Sequence, residues 1–197
     1  MTSPRATDRS TRAVARPRDM ALTLFVALGA ALGISAITGR RSLWGLLVQG
    51  MDWPVQVAWG AVIGLLLATS LMLLVKRVAW LSGFRRELMA IVSRADLTGL
   101  NPVWFSLCAG FGEEMLVRGA LQPIIGIWLA SVIFTALHFR TGGFQTMNPM
   151  KALYALLVFL VSLLLGSVCL WIGLVAAIVT HVVADVIFLT SLRAVRC

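Results

Sequence analysis

Six apolar stretches, at residues 20–38, 54–75, 101–117, 120–139, 151–170 and 173–192, constrain this chain more than any other feature. A helix needs about 20 consecutive apolar residues to cross the hydrocarbon core of a bilayer. In a chain of 197 residues such stretches leave little room for a water-soluble domain. Only 13% of the residues are charged and the mean hydropathy is +0.92, values foreign to soluble globular domains. The sequence therefore predicts an all-α fold: a polytopic membrane helix bundle with about six transmembrane helices and its site among them.

The remaining segments fit that frame. Residues 1–19 carry five arginines among Ser, Thr and Pro without apolar periodicity, and read as a disordered basic cytoplasmic tail. Residues 20–197 read as one membrane-embedded domain, whose first span is retained rather than cleaved as a signal peptide. Between the second and third spans, residues 77–94 mix Trp80, Leu81, Phe84, Leu88 and Ile91 with arginines at helical spacing. That pattern predicts an amphipathic helix lying at the interface.

The net charge of +9 does not imply a nucleic-acid partner, because the basic residues flank the apolar runs. With the N-terminus inside, 14 of the 17 Lys and Arg residues fall on the inner side. Only Arg40, Arg41 and Arg118 fall outside, so both termini are expected in the cytoplasm. The three cysteines form neither a disulfide framework nor a CxxC metal motif.

Against this background the polar residues inside the spans stand out. The chain has eight acidic residues and two histidines. Of these, Glu113, Glu114, His138, His181 and Asp185 lie within or at the ends of apolar segments. A charge at the bilayer centre costs about 2.5 to 3.5 kcal/mol on insertion scales, so such groups pair with one another or face a wet cavity. Helical geometry sorts them. Glu114 and Arg118 are four residues apart and can pair, while Glu113, about 100° around the helix, is left to face something else. Phe134 and His138 share one face, as do His181 and Asp185.

A carboxylate and imidazoles gathered among helices can activate water. Glu113 is the candidate general base, with His138 orienting the same water. His181 and Asp185 would then face the carbonyl under attack, the histidine donating to the developing oxyanion. The same four residues, Glu113, His138, His181 and Asp185, also match the ligand types of a catalytic zinc site. The HExxH signature of helix-borne zinc peptidases is absent, and metal-free catalysis with no cofactor is the favoured expectation.

The series EExxxR at Glu113, Glu114 and Arg118, then FxxxH at Phe134 and His138, then HxxxD at His181 and Asp185, resembles the three motifs of the CAAX protease and bacteriocin-processing family, also called Abi or CPBP. The motif core spans residues 110–189. The resemblance implies an intramembrane endopeptidase in which Glu113 and His138 activate water and His181 and Asp185 form the oxyanion side, with Glu114, Arg118 and Phe134 in support. It further implies membrane-tethered protein or peptide substrates of CAAX, sorting-tail or bacteriocin type. The expected location is a bacterial cytoplasmic membrane, with the site opening on the non-cytoplasmic side. Two other readings fit the same residues: a small proton-coupled transporter using them as a relay, and a non-catalytic immunity or adaptor protein.

Overall fold

A computed structural model describes residues 15–39, 43–77, 81–141 and 148–196. Its elements are α1 (Pro17–Thr38), α2 (Leu43–Leu47), α3 (Trp53–Arg77), α4 (Ser82–Val92), α5 (Asn101–Glu114), a π-helical turn (Met115–Leu121), α6 (Gln122–Thr141), α7 (Pro149–Trp171) and α8 (Leu174–Arg196). The fold is an all-α polytopic membrane bundle, with five helices among the described residues long and apolar enough to cross a bilayer.

One of those five, Asn101–His138, is 38 residues long and folds back on itself. Gly126 sits at φ 77° and ψ 167°, a region open essentially to glycine alone. In a straight helix Arg118 and Phe134 would lie about 24 Å apart. Instead the Arg118 guanidinium carbon is 4.8 Å from the centroid of the Phe134 ring. The third and fourth expected spans are thus the two legs of one hairpin. Its bend lies at Gly126, not between residues 117 and 120 as the run of apolar residues suggested. The chain crosses that boundary as a π-helical turn, a geometry in which hydrogen bonds skip one residue further than in an α-helix.

This corrects the expected depth of the site. Glu113 stands twelve residues after Asn101 and thirteen before Gly126, at the middle of its leg rather than near the outer end.

The start of the chain also differs from expectation. Helix α1 begins at Pro17, and the Asp19 carboxylate accepts a hydrogen bond from the Arg16 amide at 2.8 Å. Ala15 pairs with the loop after α4, its amide donating to Arg94 at 2.7 Å and its carbonyl accepting from Asp96 at 3.0 Å. The structured part therefore reaches back into the segment read as tail, and residues 1–14 lie outside the described residues. Trp80 lies outside them too.

Small residues set the tightest helix contact. A Cβ at Gly60 would come within 2.7 Å of the Ala176 carbonyl oxygen, and one at Gly64 within 2.7 Å of the Thr180 oxygen. Without side chains there, α3 approaches the α8 backbone closely, as membrane helices do where lipid supplies no hydrophobic drive between them. Thr180 adds a hydrogen bond from its hydroxyl to the Gly60 carbonyl at 3.2 Å. Fixing α8 in this way fixes His181, the next residue, and Asp185 one turn beyond it. Helix α4 behaves as its pattern predicts: Phe84 and Leu88 are buried against Val75 while Arg85 and Arg86 are exposed.

Candidate active site

The adjacent glutamates turn to different surroundings. The Glu114 side chain is wholly buried. Its Oε2 lies 3.1 Å from Arg118 Nε and its Oε1 lies 2.9 Å from His181 Nδ1. Arg118 in turn donates from Nη2 to the backbone oxygen of Ser162 at 3.0 Å and to its hydroxyl at 3.1 Å. One turn on, Gln122 donates to the Gly166 carbonyl at 3.1 Å. Two buried charges and their polar partners thus bind the α5 leg to α7 and α8.

Sequence reasoning placed Glu114 with Arg118 but missed Ser162 and the bond from Glu114 to His181. Nothing in the sequence marks Ser162, since the contact spans 44 residues and depends on how α7 slides along the π-helical turn. The π-helical turn keeps Arg118 buried while presenting it to α7, and such turns recur at functional sites.

Glu113 faces the other way. Its Oε2 lies 3.7 Å from His138 Nε2, and both side chains are 29% exposed. Among the described residues that same Oε2 is a buried carboxylate oxygen with no hydrogen-bond partner. The His138 ring is held at its far nitrogen: Nδ1 lies 3.1 Å from the Phe134 carbonyl, an acceptor, so Nδ1 carries the hydrogen of that bond. This directs Nε2 at the glutamate. Phe134 also stacks on the imidazole, with ring centroids 4.3 Å apart, and meets His181 edge-on at 6.4 Å.

His181 lies between two carboxylates, Glu114 at 2.9 Å from Nδ1 and Asp185 at 3.5 Å from Nε2. All four candidate residues and their three supports therefore meet in one region, drawn from α5, the π-helical turn, α6 and α8. Among the described residues no three His, Cys, Asp or Glu side chains are arranged to hold a metal ion.

A cavity of about 180 Å³ opens beside this cluster. Its walls include His138, His181 and Asp185, together with aliphatic and aromatic side chains reaching to Val75, Phe84 and Leu88. Those last residues lie at the end of the bundle that carries both chain termini. The cavity thus leads to that end, opposite to the side expected from the sequence. A second cavity, of about 680 Å³, opens at the far end and is lined by Ser35, Thr38, Gln49, Arg118 and Gln122. The Arg118, Glu114 and His181 layer separates the two.

A helical membrane bundle with paired glutamates beside two histidines that line a cavity defines a class: polytopic membrane proteins with an intramembrane polar centre. Comparison with known proteins adds a similarity over part of the chain. Residues 97–187 match the family described as type II CAAX prenyl endopeptidase Rce1-like, a stretch that includes Glu113, Glu114, Arg118, Phe134, His138, His181 and Asp185. A protein of Bacillus subtilis (strain 168), the uncharacterized protein YpbD, is 39% identical over 92 residues, covering 46% of this chain and 45% of that relative. The chain thus matches less than half the length of that relative. No solved structure matches the chain.

Proposed function

We propose that this protein is an intramembrane endopeptidase that hydrolyses peptide bonds near the C-terminus of membrane-tethered substrates by means of glutamate-activated water. The observation that carries the reading is the Glu113 and His138 pair, 3.7 Å apart, with His138 in the wall of an apolar cavity. That gap is long for a direct hydrogen bond and suits two groups that share one water. Glu113 takes the proton as the water oxygen attacks the carbonyl carbon, and His138 orients the water. The carbonyl electron pair moves onto oxygen, facing His181. Collapse breaks the C–N bond, and the proton held by Glu113 passes to the departing amine. Asp185 holds the His181 ring from its Nε2 side.

The apolar walls suit an aliphatic peptide tail or an attached lipid chain. The membrane match extends to charge: the end to which the cavity leads carries Lys76, Arg77, Arg85, Arg86 and Arg193, so substrates enter from the cytoplasmic face of the membrane. In this reading no metal or other cofactor is required, the partners are a tethered substrate and the bilayer, and the bilayer is a bacterial inner membrane.

A second reading, a proton-coupled transporter, draws on the two cavities that approach the Arg118 layer from opposite ends. Comparison of membrane-protein termini in cells carrying wild-type or Glu113→Ala protein separates the two. Termini that change with Glu113→Ala support the peptidase; unchanged termini with a folded, abundant variant support the transporter. Loss of cleavage on chelation, restored by zinc, would replace the metal-free mechanism with a metal-dependent one.

A further inference from the structure

An oxyanion formed beside His181 needs more than that one donor. Both ring nitrogens of His181 lie near carboxylates, at 2.9 and 3.5 Å, so its capacity to donate to a new oxygen is already partly committed. Asp185, ionised, is an acceptor only. The cavity wall leaves little choice for a further donor. Its polar side chains are His138, His181, Asp185 and Tyr154, and every other lining residue is aliphatic or phenylalanine. Three of those four belong to the motifs already described. The fourth, Tyr154, comes from α7, a helix that contributes none of them, and is the one tyrosine of the chain.

Its depth is set by the packing of its helix. Val158 packs against the cluster of Val117, Ala130 and Phe134, so α7 and the returning leg of α6 lie against each other at the level of Phe134. These two segments run in opposite directions. One turn further toward the cavity mouth come His138 on one and Tyr154 on the other, at the same depth. On its outer side Tyr154 rests against the cluster of Val75, Leu81, Phe84 and Leu88.

We infer that the Tyr154 hydroxyl is a further catalytic residue, donating a hydrogen bond to the carbonyl oxygen of the scissile peptide as negative charge develops there, alongside His181. No proton is transferred by Tyr154; the hydroxyl stays protonated, and the bond strengthens as the carbonyl electron pair moves onto oxygen. The inference rests on the peptidase reading and supplies its missing donor. A phenol suits this place because its ring belongs in an apolar wall and its hydroxyl remains polar at the tip.

The test uses the purified full-length protein in detergent, with a farnesylated, internally quenched peptide ending in a CAAX sequence as the probe. Tyr154→Phe keeps the ring and its packing and removes only the donor. Loss of one oxyanion donor lowers kcat by about 10²- to 10³-fold, and KM should stay within about twofold. Affinity for a peptidyl aldehyde, whose hydrate mimics the tetrahedral intermediate, should fall by a similar factor, whereas affinity for an uncleavable peptide should not change. A packing role would move neither kcat nor the aldehyde affinity in the Phe variant. Cleavage that depends on Glu113 but runs at the wild-type rate in Tyr154→Phe overturns this inference alone. Cleavage indifferent to Glu113→Gln overturns the glutamate-activated mechanism, and absence of cleavage by the folded wild-type protein overturns the peptidase reading; either takes this inference with it.

Discussion

Glu113 and Glu114 are neighbours in sequence and opposites in surroundings. Glu114 is fully buried, with one oxygen near Arg118 and the other near His181. Glu113 is 29% exposed and faces His138 across 3.7 Å. One helix, by its 100° step per residue, sends Glu113 toward His138 and Glu114 into the framework. The difference teaches how to separate structure from chemistry in such a site. A carboxylate locked between Arg118 and His181 holds helices together, and one that meets only a histidine across 3.7 Å is available to a substrate or a water.

The largest effect that would sharpen this contrast is on turnover. Glu113→Gln should lower cleavage by roughly 10²- to 10⁴-fold, the range of general-base catalysis, and leave the thermal midpoint in detergent unchanged. Arg118→Ala should do the reverse first. Removing one partner of a buried ion pair costs about 3 to 5 kcal/mol, so the midpoint should drop steeply. Equal midpoints for Arg118→Ala and wild type would break the assignment of Glu114 and Arg118 to the framework.

Smaller effects test how the two glutamates are positioned. Nothing lies within 4 Å of a Cβ added at Gly126, so Gly126→Ala meets only a backbone penalty, about 1 to 3 kcal/mol for a non-glycine residue at such φ and ψ. The same change should slow cleavage, because the bend brings His138 back to Glu113; a hairpin indifferent to alanine in both assays would contradict the bend. Thr180→Val, which removes the hydroxyl bond from α8 to Gly60, should cost about 0.6 kcal/mol, a typical interhelical hydrogen bond in a membrane, and should barely affect cleavage.

Much of this was legible in the sequence, for physical reasons. Bilayer length imposes itself on composition, so the spans and the amphipathic α4 could be read directly. The expense of charge in lipid made Glu113, Glu114, His138, His181 and Asp185 conspicuous, and helical spacing paired Glu114 with Arg118. The bend at Gly126 was hidden, because a glycine within an apolar run is common in membrane helices and its φ is set by the tertiary fold. That one displacement moved the site to mid-depth. The cavity's direction depends on where Phe84 and Leu88 of the interfacial helix pack, which no local pattern reveals. Ser162 and Tyr154 were passed over because each sits in an otherwise apolar α7, and their meaning comes from the residues across from them.

The most direct test of the central claim measures two quantities on one preparation of Glu113→Gln in detergent: the rate of cleavage of the farnesylated peptide and the thermal midpoint. A protein that unfolds at the wild-type temperature and no longer cleaves is the predicted result. Wild-type cleavage by the folded variant would contradict the account, since the carboxylate that faces His138 would then have no part in the chemistry.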